Sequence, residues 1–186
     1  MPAILLTPPA SEPLSLAEAK QFLRVEHGDD DELIAALTSA ARNAVELATR
    51  RVLVTQSWRI VLDRWPASAR IVSPVNPLRT LDAARVLGED GAPTALDPED
   101  FTLDTASAPG VLAFARADVS EPGSALAGIE LDVTAGYGIA ADVPAPLVQA
   151  IRLLLAQSYE QRDQVRTDAL PDTVARLVAP FRILNL

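Results

Sequence analysis

The apolar side chains of this chain change period twice, from helical to alternating and back, and that switch restricts the possible folds more than any other feature. Leu33, Ile34, Leu37, Ala41, Ala44, Val45 and Ala48 recur at helical spacing and predict one apolar stripe. Trp58, Ile60 and Leu62 then alternate with Ser57, Arg59 and Asp63, as a half-buried strand requires. The alternation returns in Ile129, Leu131, Val133 and Ala135, set between Glu130, Asp132 and Thr134. Helical spacing resumes with Leu147, Val148, Ile151, Leu154, Leu155, Ser158 and Tyr159. Each long helix must bury its stripe, and the other's stripe is the nearest large apolar surface. The expected fold is α+β: a helical body built from N- and C-terminal helices, with an antiparallel β module inserted between them and a C-terminal arm.

Local signals set the boundaries. Residues 1–14 are proline-rich and aperiodic and predict an extended arm. Ser15-Leu16-Ala17-Glu18 has the form of a capping box and opens a short helix through about Arg24. Asp29-Asp30-Asp31-Glu32 places four carboxylates at the positive end of the next helix. The helical body is thus assigned to residues 15–51 and 143–163, and the β module to residues 52–142. Within the module, strands are expected near Ile71-Val72, Leu81–Leu87, Phe101–Leu103 and Val111–Phe114, separated by turns at Gly88–Gly91, Asp97-Pro98 and Pro109-Gly110. Residues 164–186 form the arm. They carry three Arg and two Asp, a charge of +1 against −10 for the remainder.

Composition excludes several chemistries. The chain has no Cys, so disulfides, zinc ribbons and thiol catalysis are all absent. No stretch approaches the roughly 20 apolar residues of a membrane span, and the N-terminus lacks the basic and apolar regions of a signal peptide. A cytoplasmic site of synthesis is expected. A net charge of −9, with a single Lys, is unsuited to gripping phosphate.

Catalytic signals are equally sparse. There is no Gly-x-Ser-x-Gly elbow, and His27, the only His, sits in a loop beside an acidic cap. Gly136-Tyr137-Gly138 lacks the third glycine of a dinucleotide fingerprint. The Asp29–Glu32 run lacks the spacing of a calcium loop. Asp97, Glu99, Asp100 and Asp104 offer carboxylate pairs for acid–base work, on which a carbohydrate-acting enzyme is one alternative reading; another intracellular protein-interaction module is a second. Alternation makes Trp58 a core residue, whereas Trp65, before Pro66, is expected to be partly exposed. No catalytic, metal or cofactor site is assigned.

Taken in order, several segments resemble the head–tail connectors of tailed phages, also called head-completion or adaptor proteins, with relatives in prophages and gene transfer agents. They are Leu14–Lys20, Leu23-Arg24-Val25, Asp30–Ile34 with its Ala-rich helix, Thr55–Arg59, Thr134–Gly138, Val143-Pro144 with Tyr159–Arg162, and Ala179–Arg182. The resemblance implies a structural, non-enzymatic subunit without cofactor. It implies a homo-oligomeric ring, commonly of twelve copies in that family, docked beneath the portal protein at the head–tail junction of a virion or phage-like particle. The ring would extend the DNA channel and meet a tail-side connector or stopper protein. DNA would pass without specific binding, and no membrane is involved. Residues 66–127 contribute nothing to the likeness.

The resemblance also puts the portal-binding element in the C-terminal segment. Val174, Leu177, Val178 and Phe181 fall on one helical face, and Arg182, Ile183 and Leu184 follow the stop at Pro180. As a free arm hinged at Gln164–Ala169, the segment would be dispensable for stability. The alternative is that it folds back on its own helical body.

Overall fold

The structure is a computed structural model and describes residues 1–161 and 170–183. Its strands and helices run in the order β1 (Ala3–Thr7), α1 (Leu16–Leu23), α2 (Asp31–Thr49), β2 (Gln56–Leu62), β3 (Arg70–Val72), β4 (Leu78–Leu87), β5 (Pro93–Leu96), β6 (Phe101–Asp104), β7 (Val111–Phe114), β8 (Ile129–Ala135), α3 (Ala145–Glu160) and α4 (Asp172–Val178). The fold is α+β with antiparallel sheets. The described residues separate into two compact units, one of Met1–Pro9 with Thr55–Gly136, the other of Ala10–Val54 with the described residues from Tyr137 on. No helix among them is long and apolar enough to cross a membrane.

The helical unit starts at the capping box foreseen in the sequence. The Ser15 hydroxyl accepts from the Glu18 amide at 3.3 Å, and the Glu18 carboxylate accepts from the Ser15 amide at 3.0 Å. The Ser15 hydroxyl also donates to the Glu18 carboxylate at 2.6 Å, and that bond, with the one from the Ser15 amide, holds the Glu18 carboxyl below its ordinary range. Arg24, in the left-handed region at φ 59°, closes α1. Leu14, expected in the extended arm, instead joins the core at 1% exposure, one residue ahead of the cap. The helix α2 directs Ile34, Ala41 and Val45 inward, and α3 directs Leu147, Ala150, Ile151, Leu154 and Leu155 inward. The two stripes pack against each other, as their periodicity requires.

The β unit holds two sheets. Five strands are ordered β1-β2-β8-β4-β5 and three are ordered β3-β7-β6, with antiparallel neighbours throughout. The centre of the large sheet is the pair that alternation singled out, with Ile60 opposite Leu131 and Arg59 opposite Asp132. Two strands, β1 and β5, were not anticipated. Residues 3–7 of the expected arm pair with β2, and Pro2, which has no N–H to donate, still accepts from the Val61 amide at 3.1 Å. In β5 only Thr94 carries a β-favouring side chain, and a proline begins it.

The two tryptophans exchange the roles expected of them. Trp65 is 4% exposed, donates Nε1–H to the Ser120 carbonyl at 2.8 Å, and lies 4.7 Å from the Phe114 ring centre. With Phe101 it forms a three-ring cluster that anchors the smaller sheet. Trp58 is only half-buried, opposite Leu5 of the edge strand β1. Its indole N–H is buried without a hydrogen-bond partner.

Candidate functional site

The C-terminal segment takes the second course, folding back onto its own unit. Val174 and Val178 are each 1% exposed and belong to the core formed by α2 and α3, and Ile183 is 8% exposed. Leu177 and Phe181 are half-buried at the margin, and Arg182 is exposed. Leu184 and the expected hinge Gln164–Ala169 lie outside the described residues. The helical spacing therefore named the apolar face correctly, and the face is occupied by the chain's own helices. A free arm would leave those valines in water at a cost of roughly 1.5–3 kcal/mol for each fully buried side chain.

Polar bonds fasten the segment at the end of α2. The Ile183 amide donates to the Thr49 carbonyl at 3.0 Å, satisfying a carbonyl in the last turn of α2. The Arg51 guanidinium donates through Nε to the Phe181 carbonyl at 2.6 Å. Nothing in the local sequence announces Arg51 as a partner of residue 181, because the contact spans most of the chain.

A second polar cluster braces the same unit. Arg42, 8% exposed overall, donates to Glu12 and Glu46 at 2.7 Å each. The other Glu46 oxygen accepts from the Leu53 amide at 2.8 Å. Burial pushes the Glu46 carboxyl above its ordinary range, against the pull of the Leu53 amide and of Arg42.

The residues considered for chemistry are dispersed. Asp97 caps a 3-10 turn by accepting from the Glu99 amide at 2.9 Å. Asp104 accepts from the Ser107 hydroxyl and from the amides of Ser107 and Ala106, bonds that hold its carboxyl below the ordinary range. Asp31 pairs with Lys20 at 2.6 Å, Asp30 accepts from the Tyr159 hydroxyl at 2.5 Å, and His27 is exposed. Each of these carboxylates has a local structural task. Among the described residues, no three His, Asp or Glu side chains converge as a metal site would need.

On the outer face of the large sheet, two arginines and two carboxylates interlock. Arg59 reaches Asp132 at 2.7 Å and Glu130 at 3.2 Å, and Arg85 reaches Glu130 at 2.6 Å and Asp132 at 2.9 Å. The four formal charges cancel, so the lattice lends the face no net charge. At the sheet's margin, β1 leaves Ile4 52%, Leu5 43% and Leu6 43% exposed. The sequence reading did not single out these three residues, although an uncharged apolar run ahead of the first helix was there to see.

No protein-family model and no curated protein matches the chain. Solved structures do, over the entire chain. A chain of the neck of an empty gene transfer agent particle, computed with C6 symmetry, is 27% identical with a TM-score of 0.83 over 100% of this chain and 97% of that one. A chain of the virion of a native gene transfer agent particle is 26% identical with a TM-score of 0.84 at the same coverage. One from the neck of the native particle, computed with C12 symmetry, is 28% identical with a TM-score of 0.79, again covering 100% and 97%. Fold and comparisons together define a structural component of a phage-like particle. Within that class the likeness is to gene transfer agent neck and virion chains, in keeping with the head–tail connector resemblance read from the sequence.

Proposed function

We propose that this chain is a head–tail adaptor: a subunit of a ring that sits beneath the portal, extends the DNA channel and joins the capsid to the tail. The observation carrying this reading is the match along the whole chain to components of necks computed with C6 and C12 symmetry. Such symmetry supports an oligomeric ring inside the particle. The role is structural and non-enzymatic, without cofactor, and the working location is the head–tail junction. A net charge of −9 fits a channel through which DNA moves without being held, since a grip on phosphates needs clustered Lys and Arg.

Portal contact is assigned to the C-terminal segment. Of the seven candidate residues, Val174, Val178 and Ile183 hold the segment to its own helices, while Leu177, Phe181 and Arg182 remain accessible in part or in full; Leu184 completes the candidate set. A half-exposed apolar pair beside an exposed guanidinium suits a partner surface with an apolar notch and a carboxylate. The test is co-sedimentation with portal rings. Arg182→Glu is expected to fold normally, within about 0.5 kcal/mol of wild type, and to lose portal association. Unchanged association would remove Arg182 and its neighbours from the interface. A wild-type chain that never associates with portals or necks would overturn the adaptor reading itself.

A further inference from the structure

The five-stranded sheet ends in two open edges, β1 and β5. Soluble proteins usually guard such edges with charge, bulges or a covering element. Here neither edge strand, Ala3–Thr7 or Pro93–Leu96, contains a charged residue, and no charged residue occurs before Ser11. Side chains Ile4, Leu5 and Leu6 are about half exposed, and the half-buried Trp58 is the cross-strand neighbour of Leu5.

The backbone of β1 is equally unfinished. Val61 donates to the Pro2 carbonyl, so the antiparallel ladder turns the polar groups of alternate residues toward β2. Ala3 and Leu5, at the intervening positions, direct their N–H and C=O groups to the open side. A register shift between Leu5 and Thr7 is the only irregularity along the strand.

Resting on the ring reading above, we infer that successive copies join edge to edge, with β1 of one subunit pairing with β5 of the next. Cyclic assembly needs two different, complementary patches on each copy, and the two edges of one sheet supply them. Strand direction makes the inference specific. Four antiparallel pairings lead from β1 to β5, so these two strands run parallel within a subunit. A small rotation about a ring axis changes strand direction little, and β1 therefore meets the next copy's β5 in parallel. Charge argues the same way: copies of net charge −9 repel, and uncharged strips are where they can approach closely. The ladder continues from the Gly88 amide bonded to the Ala92 carbonyl, so Thr94 and Leu96 turn their polar groups toward β4 and the open side of β5 offers the Pro93 carbonyl and the N–H and C=O of Ala95.

The test compares amide exchange in the free subunit with exchange in wild-type rings assembled on portals. Protection is expected to rise about tenfold or more at Ala3 and Leu5 and, together with it, at Ala95. Cysteine pairing provides a second readout, and the native chain contains no Cys to confuse it. A chain carrying both Leu5→Cys and Ala95→Cys, treated with a short bis-maleimide, should give a ladder of linked multimers. Each single variant should give no ladder. Rings that form without added protection at both edges, or with protection at β1 alone, overturn the edge pairing while leaving the adaptor reading intact. Failure of the wild-type chain to form rings on portals removes the adaptor reading, and this inference with it.

Discussion

The helical unit and the β unit bury their residues by different means. In the helical unit, Leu14, Ile34, Leu53, Leu147, Ile151, Leu154 and Leu155 are almost wholly enclosed, and the pieces that enclose them come from both ends of the chain. In the β unit, Ile60, Ile129 and Leu131 are enclosed on one face of the large sheet, while the other face carries an ion-pair lattice and both edges stand open. The first unit is finished within one chain. The second has unused strand edges, which suits a subunit that must meet copies of itself.

The largest effect should come from removing what finishes the helical unit. Deleting residues 172–183 uncovers the core at Val174, Val178 and Ile183, each contributing roughly 1.5–3 kcal/mol when fully buried. The sum approaches the whole stability of a typical domain. The truncated chain should therefore lose its helical signal at much lower urea concentration or not fold at all. An unchanged midpoint would mean that the segment is an appendage, and the contrast between the units would fail at its strongest point.

Next in size is Arg42→Ala. That change leaves Glu12 and Glu46 facing an empty position, with Glu46 mostly buried and already pushed up by that burial. Removing one partner from a buried ion cluster costs about 3–5 kcal/mol. Chemical denaturation should show a loss of that order. A loss below about 1 kcal/mol would place the cluster with ordinary surface pairs.

How much of this was legible follows from the distance over which each signal acts. The capping box at Ser15 and the stripes of α2 and α3 are written within a few turns, and they stand where periodicity put them. Likewise Ile129–Ala135 alternates strictly, Trp58–Leu62 does so apart from Val61, and the two become partners at the centre of the sheet. The strand β1 was missed because its sequence, flanked by prolines, makes sense only once β2 is beside it. The strand β5 was missed because Pro-Thr-Ala-Leu has little intrinsic preference. For the C-terminal segment, Val174 and Val178 announced an apolar face, but spacing cannot tell an internal partner from an external one. The Arg51 bond to residue 181 that decides the matter has no local signature.

The smallest effect lies in the lattice on the β unit, and its pH dependence contrasts with that of the helical unit. Burial pushes the Asp132 carboxyl up, but hydrogen bonds from Arg59 and Arg85, and their charges, outweigh it and hold the group below its ordinary range. A carboxylate with a depressed folded pKa contributes stability that is fully present above its unfolded pKa of about 3.9 and is lost as pH falls through the folded value. Asp132→Asn should therefore cost about 1 kcal/mol at neutral pH. The difference from wild type should shrink below about pH 4 and diminish in high salt. Glu46 in the helical unit has the opposite sign. Its folded pKa is raised, so the folded state keeps the proton longer than the unfolded chain does, and stability falls as pH rises from the ordinary Glu range through the folded value. Titrating wild type, Asp132→Asn and Glu46→Gln in parallel should give two difference curves of opposite slope in the acid range. Two slopes of the same sign would mean that the carboxylates of the two units share one kind of environment, against the contrast between a carboxyl governed by burial and one governed by its two arginines.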